Sequence, residues 1–180
     1  MFGSRQCERI IEAGLALPRE SAEVSDGDQD ALETGTRDAA IAWMAPSEHD
    51  WVFEKLAGVV ARANKVYGYD LIGFTEDAQF TRYEHHGAFY DWHQDGLEGE
   101  LAGRKLSLVV QLSDPADYDG GDLELFTSAA DKTFLEQNRA VFRSRGTVIV
   151  FPAVEHHRVT PMTAGCRYSL VCWVGGPPFR

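Results

Sequence analysis

The sequence predicts a mainly β protein with supporting α-helices, and three observations carry that reading. Helical periodicity is confined to the first third of the chain. From about Ile72 onward, short segments rich in β-branched and aromatic residues alternate with Gly, Asp and Pro, the pattern of many short strands joined by turns. The length of 180 residues and the hydrophobic share of 44% suffice for one domain with a real core. Helices followed by strands suggest a helical layer packed on a β core. Two facing antiparallel sheets, a double-stranded β-helix or jelly roll, are the economical arrangement.

The first helix is expected from about Arg5 to Leu15. Arg19 to Asp38 is rich in acidic and small residues and reads as a solvated loop, with a lid as the alternative. A second helix is better marked. Ser47 precedes Asp50 in a Ser-x-x-Asp capping pattern, and Val52, Leu56, Val59, Val60 and Ala63 follow at helical spacing. Gly68 offers a left-handed stop. Strands are expected at Gln79–Glu84, Phe89–Gln94, Lys105–Ser113, Asp122–Phe126, Gly146–Phe151, His157–Pro161 and Tyr168–Val174. The Gly120-Gly121 pair permits a turn before one of them.

Composition removes several classes. Cys7, Cys166 and Cys172 form no CxxC pair and are odd in number, so they read as buried free thiols rather than a disulfide framework or a zinc site. A formal net charge of -11 with no Lys/Arg cluster counts against nucleic acid as a partner. No apolar run approaches the roughly 20 residues of a membrane span. The first residues carry scattered charges rather than an apolar signal core, which predicts a cytoplasmic protein. No heptad seam marks an oligomer.

The chemistry lies in Tyr90-Asp-Trp-His-Gln-Asp-Gly96. On an extended strand His93 and Asp95 share a face, so one imidazole nitrogen and one carboxylate oxygen reach a single ion. Alone, such a pair is more often a solvated turn, since Gly96 follows. A third ligand is available in Phe151-Pro-Ala-Val-Glu-His-His-Arg-Val159, where adjacent histidines point to opposite faces and only one can bind. Two histidines and one carboxylate leave three octahedral positions free, which suits non-haem iron(II). A catalytic zinc site keeps a single open position. Trp92 faces away from such a metal by alternation and is expected in core packing.

Arg167 opens the apolar strand Tyr168-Ser-Leu-Val-Cys-Trp-Val174 and shares a face with Ser169, Val171 and Trp173. If that face is interior, the guanidinium needs an anionic partner. The remote carboxylate of 2-oxoglutarate, held bidentately, would be one. The other reading of Arg167 is an ordinary surface arginine.

At this point the sequence resembles the 2-oxoglutarate/iron(II) oxygenases of the prolyl 4-hydroxylase-like type, including the PKHD-type hydroxylases. The stretches that carry the resemblance are Arg82-Tyr-Glu-His-His-Gly87, Tyr90-Asp-Trp-His-Gln-Asp95, Arg104-Lys-Leu-Ser-Leu-Val-Val-Gln-Leu-Ser113 and Tyr118-Asp-Gly-Gly-Asp-Leu123, then Gly146-Thr-Val-Ile-Val-Phe-Pro152, His157-Arg-Val-Thr-Pro161, Gly165-Cys-Arg-Tyr-Ser169 and the terminal Trp173-Val-Gly-Gly-Pro-Pro-Phe-Arg180. The resemblance implies a single oxygenase domain over 1–180, with helical support roughly over 1–70 and a jelly-roll core roughly over 72–176. It implies His93, Asp95 and His157 as iron(II) ligands and so chooses His157 over His156. It implies Arg167 as the partner of the distal carboxylate of 2-oxoglutarate, with Tyr83 lining that pocket and Ser169 assisting. His85 and His86 remain surface or rim residues. Collagen-type members carry lysine where this chain has Arg167, which weakens a direct equation with them.

The activity so implied is dioxygen-dependent hydroxylation of an unactivated C–H bond, with release of succinate and carbon dioxide and with ascorbate as reductant. The substrate would be a prolyl residue or a small amino-acid-like molecule. Two alternatives stand beside it: a nucleic-acid alkyl-repair oxygenase of the same superfamily, which needs a basic groove, and a catalytically silent jelly-roll binding module.

Overall fold

Strand β13 (Arg167–Gly175) is the spine of the molecule. It pairs antiparallel with β5 (Ala78–Tyr83) on one side and with β7 (Arg104–Gln111) on the other. This computed structural model describes residues 1–21, 37–96, 99–126, 133–134 and 136–178. The rest of the seven-stranded main sheet grows outward in the order β1 (Glu20–Ser21), β3 (Ala40–Met44), β5, β13, β7, β10 (Val148–Pro152), with β4 (Gly73–Phe74) also on β13. A four-stranded sheet faces it, ordered β2 (Arg37–Asp38), β6 (Phe89–His93), β11 (His157–Val159), β9 (Leu123–Leu125). A ribbon of β8 (Tyr118–Gly120) and β12 (Met162–Gly165) completes the jelly roll.

The central strands are buried on both faces, and alternation divides their residues between two environments. Leu106, Leu108, Val110 and Leu112 of the β7 segment, Leu170, Cys172 and Val174 of β13, and Ala78 and Phe80 of β5 form the main apolar cluster. Their intervening neighbours, Val109, then Arg167, Ser169, Val171 and Trp173, then Gln79, Thr81 and Tyr83, line an inner cavity. One face thus makes the core and the other makes the site.

The helices seal the apolar face. Helix α1 (Ser4–Ala16) buries Cys7, Ile10 and Gly14 at spacings of three and four. Helix α2 (Asp50–Tyr67) buries Val52, Phe53, Leu56 and Val60 and stops at Gly68, whose φ of 67° is left-handed. A short helix α3 (Arg139–Arg143) lies near β8 and β9, with Arg139 and Arg143 both paired to Asp122. No helix among the described residues is long and apolar enough to cross a membrane.

The expected elements are present with shifted ends, and several expectations are corrected. The N-cap of α2 is His49 rather than Ser47, without a side-chain cap bond, because Ala45, Pro46 and Ser47 turn before the helix. Strand β3 carries no polar punctuation and passed unseen, yet it pairs along all of Ala40–Met44 with β5. The solvated arm Arg19–Asp38 contributes two short strands at its ends, while residues 22–36 lie outside the described residues, so the choice between loop and lid does too. Trp92 does face away from the histidines, but it is 38% exposed. It packs edge-on against Phe126 under the Arg158 guanidinium, at a pocket it shares with Arg139 and Phe142 of α3. Cys7 and Cys172 are buried free thiols as expected, whereas Cys166 is only half-buried.

Helix α1 meets the sheet at a closest point, Gly14 over the ring of Phe80, where an added Cβ would lie 2.4 Å from two ring carbons. Alanine would gain about 1 kcal/mol in helix propensity. Overpacking a buried ring costs about 1–3 kcal/mol, and Arg82 pins the Gly14 carbonyl at 2.7 Å, so the helix cannot slide away. Gly14→Ala is therefore expected to destabilise the fold by up to about 2 kcal/mol in urea unfolding, the difference of those two effects.

Candidate active site

His93 ends β6, and His157 opens β11 directly across from it in the antiparallel register. Cross-strand neighbours on one face bring side chains together, and here the two imidazole centroids are 4.1 Å apart. Asp95 lies just past the end of β6, in a bend rather than on the extended strand that spacing alone suggested. Its amide and that of Gly96 both donate to the Ala153 carbonyl, at 2.9 and 3.0 Å. A side chain at Gly96 would collide with Arg104 and Ala153, so the glycine lets this bend close. The carboxylate then reaches both rings: Oδ1 is 3.6 Å from His93 Nε2, and Oδ2 is 3.5 Å from His157 Nε2.

One ligand-capable atom from each of the three residues falls within 4.8 Å of the others. The tautomers follow from the neighbours. His93 Nδ1 donates to the Asp91 carbonyl at 2.7 Å, and His157 Nδ1 donates to the Glu155 carbonyl at 2.9 Å. A carbonyl only accepts, so each Nδ1 carries a proton, which leaves Nε2, the nitrogen facing Asp95, as the one able to ligate. Burial, and then the adjacent His157, push the His93 pKa down to about 4. His93 is therefore neutral near pH 7, the form that ligates a metal. The rings are fixed from behind, with Tyr90 stacked on His93 at 3.5 Å and Phe151 edge-on to His157 at 4.7 Å.

Arg167 is 1% exposed and sits at the inner end of the same cavity, whose volume is about 400 Å³. One of its nitrogens donates to Gln111 Oε1 at 3.0 Å, while Nε and Nη1 have no hydrogen-bond partner among the described residues. Burying a guanidinium with two idle donors is costly unless an anion completes it. Tyr83, opposite Arg167 in the β5–β13 register, is buried with its ring 5.1 Å from the guanidinium carbon. Burial pushes its phenol pKa up, partly offset by Arg167, so it remains a neutral hydroxyl near pH 7. Ser169 lies on the same wall, next along that face.

The residues singled out from the sequence thus converge. His156, His85 and His86 stay exposed and outside the cavity, and His85 instead meets Asp38 at 2.8 Å. Four supporting residues were missed. Ser107 donates to Asp95 Oδ2 at 2.6 Å. Arg104 donates to the Asp95 carbonyl at 3.1 Å while paired with Glu76. Gln111 holds Arg167, and Tyr90 carries His93. The signal was available for two of them, since Ser107 and Gln111 are polar positions on one face of an otherwise apolar run. Gly121 was read as a turn former, and it is also a close approach: at φ +61°, an added Cβ would lie 3.0 Å from Arg167 Cδ.

Comparison with known proteins agrees with this geometry. The family model described as the 2OG-Fe(II) oxygenase superfamily matches residues 78–175. A PKHD-type hydroxylase of Paraburkholderia phytofirmans is 40% identical over 100 residues, which is 53% of this chain and 40% of the relative. One of Synechococcus is 36% identical over 92 residues, 49% of this chain and 38% of the relative. The chain thus spans about 40% of the length of these curated relatives. A viral collagen prolyl hydroxylase from Paramecium bursaria Chlorella virus-1 superposes with a TM-score of 0.66 at 20% identity, over 98% of this chain and 92% of that one. A Pseudomonas putida prolyl-4-hydroxylase gives 0.65 at 20%, over 97% and 84%. At that identity the two solved structures show the shared fold.

Ser107 tests whether the support of Asp95 matters. Hydrogen bonds that orient a metal ligand are worth about 10- to 100-fold in metal affinity. Ser107→Ala is expected to weaken iron(II) or manganese(II) binding within that range while leaving the unfolding midpoint of the metal-free protein close to the parent. Titration calorimetry under argon reads the first, and urea unfolding the second.

Proposed function

The chain belongs to the 2OG-Fe(II) oxygenase superfamily, and on that premise we propose that it is an iron(II)- and 2-oxoglutarate-dependent hydroxylase acting on an unactivated C–H bond. The observation that carries the reading is Arg167. A buried cation with two unpaired donors faces the same cavity as two histidines and a carboxylate converging on one point. A dicarboxylate that also chelates the metal satisfies both ends at once.

In this reading His93 Nε2, Asp95 and His157 Nε2 hold the iron. Their two-His-one-carboxylate set leaves positions for a chelating co-substrate and dioxygen. Bound there, iron(II) with 2-oxoglutarate supplies the oxidation, consuming dioxygen and yielding succinate, carbon dioxide and a hydroxylated product. The chain's own residues position and exclude. Asp91 and Glu155 carbonyls keep both imidazoles in the ligating tautomer. Ser107 holds one oxygen of Asp95 and orients the carboxylate between the rings. Arg167, steadied by Gln111, fixes the far carboxylate of the co-substrate, with Tyr83 beside it and Ser169 next on the wall. Phe151, Val109 and Val171 dry the surroundings, which strengthens these charge interactions.

The names of the solved prolyl hydroxylases support a prolyl residue as substrate, with a small amino-acid-like molecule as the second reading. Ascorbate would serve as reductant.

The test is succinate formed from 2-oxoglutarate with iron(II) and ascorbate, first without any added primary substrate. Slow uncoupled succinate production is expected from the parent and none from His93→Ala. Arg167→Ala should keep its iron but bind 2-oxoglutarate at least about 10-fold more weakly, the value of one lost charge-assisted hydrogen bond. Equal succinate from parent and His93→Ala would contradict the assignment.

A further inference from the structure

Arg143, at the end of α3, is buried like Arg167 but lines a cleft beside β9 rather than the cavity that holds the triad. Its hydrogen bonds among the described residues all go to one short stretch, Tyr118 to Asp122. Nη1 donates to the Gly120 carbonyl at 2.8 Å and to Asp122 Oδ1 at 2.5 Å, and Nη2 donates to the Tyr118 carbonyl at 2.9 Å. The guanidinium carbon also sits 4.2 Å from the Tyr118 ring centroid. The other side of the same stretch meets Arg167, since a Cβ on Gly121 would lie 3.0 Å from Arg167 Cδ. We propose that Arg143 is a positioning residue, which acts through the Gly120-Gly121 turn to hold Arg167 where it meets the far carboxylate of 2-oxoglutarate; this rests on the co-substrate reading given above.

The turn needs support from outside itself. Gly120 and Gly121 are both left-handed, at φ 72° and 61°. Glycine has no side chain to anchor and loses the most freedom on ordering. The turn's own backbone bonding is thin: the Gly121 N–H reaches the Pro161 carbonyl only at 3.4 Å, and the β8–β12 register shifts just beyond Met162. A planar guanidinium with several fixed donors suits this task, because it fixes direction as well as distance. Arg139 holds the other oxygen of Asp122 at 2.7 Å, and the Asp122 N–H donates to Thr160 Oγ1 at 2.9 Å. The glycine turn is thus clamped between α3 and the segment that leads into β12.

Arg167 in turn needs that wall. Among the described residues its side chain makes one hydrogen bond, to Gln111 at 3.0 Å, with the Tyr83 ring beside the guanidinium. The remaining donors stay free for a carboxylate, so they cannot also fix the side chain. Its long stem is bounded instead by packing, and Gly121 supplies part of it. A slack turn would give the stem room to swing. Two parallel N–H···O bonds tolerate little misdirection, so contact with the far carboxylate would weaken. The triad would be untouched, because the bonds of Arg143 reach none of its residues.

The test uses the full chain with manganese(II) in place of iron(II), and reads ligand binding from the water-proton relaxation of the bound ion. Two ligands are compared: 2-oxoglutarate, and 2-oxobutanoate, which keeps the chelating 2-oxo acid but lacks the far carboxylate. The proteins are the parent, Arg143→Gln, Arg143→Lys, Arg167→Ala and the double variant of Arg143→Gln with Arg167→Ala. Arg143→Gln is expected to weaken 2-oxoglutarate about three- to tenfold, part of one charge-assisted hydrogen bond and less than Arg167→Ala loses. Arg143→Lys should fall between Arg143→Gln and the parent. Affinities for manganese(II) and for 2-oxobutanoate should stay at the parent values. In the Arg167→Ala background Arg143→Gln should add nothing, because a residue that acts through another is silent once that one is gone. If Arg143→Gln has lost its urea transition, Asp122→Asn carries the same comparison, since it keeps the side chain's size and loosens one of the three acceptors. Equal losses for the two oxo acids, full additivity in the double variant, or unchanged 2-oxoglutarate affinity would each overturn the proposal while Arg167→Ala still shows its loss. If Arg167→Ala itself binds 2-oxoglutarate like the parent, the co-substrate reading fails, and the role of Arg143 falls with it.

Discussion

The carboxylate of Asp95 joins the two sheets, and the site depends on it. One oxygen faces His93 and the other faces His157, both on the smaller sheet, while Ser107 of the main sheet donates to it from the opposite side. Two imidazoles aim their Nε2 atoms at a nearby carboxylate, an arrangement of three donors suited to a shared cation. The surrounding contacts hold it in place: the double grip of the Ala153 carbonyl on the bend, the carbonyls behind each histidine, and Arg104 on the backbone of Asp95. The triad is thus pre-positioned by the fold, which lowers what a metal must spend in ordering its ligands.

A second constraint comes from β13. Because its two faces meet two environments, a residue's parity decides whether it builds core or chemistry. Leu170, Cys172 and Val174 are locked into the cluster under the helices. That fixes Arg167, Ser169, Val171 and Trp173 on the cavity side without further choice. A one-residue slip would exchange the sets and place a guanidinium in the apolar core. The strength of the helix-side packing therefore enforces the register on which the proposed co-substrate contact rests, and Gly14 against Phe80 is one of its tightest points.

Much of this was legible in the sequence, for identifiable reasons. His93 and Asp95 are legible as a pair two residues apart and Arg167 as a cation opening an apolar strand, whereas the choice of His157 over His156 comes from the resemblance. The seven expected strands of the jelly roll are bounded by Gly, Pro or Asp and lie within a few residues of their observed ends, but the short strands β4, β8 and β12 were not expected. Strand β3 was not, since Ala40–Met44 is short, apolar and follows an acidic stretch, and its partner β5 is distant in sequence. Asp95 was placed on a strand because spacing shows parity but not where pairing ends. Trp92 is expected in the core because hydrophobicity alone does not reveal that its ring lies at the lip of a surface pocket. Arg104 acts through a contact between sheets, which periodicity within one element does not encode, and Tyr90 through a ring stacked on His93 of its own strand.

The most direct test of the central claim is the coupling between metal and co-substrate. If the triad and Arg167 form one site, 2-oxoglutarate binds the metal and the guanidinium together, and each ligand must raise the affinity of the other by the same factor. Anaerobic calorimetric titration of 2-oxoglutarate, with and without iron(II), on the parent and on Asp95→Ala, measures this. The account predicts tight binding only with iron, reciprocal enhancement of iron binding by 2-oxoglutarate, and loss of the coupling in Asp95→Ala. Equal affinity for 2-oxoglutarate with and without iron would contradict it.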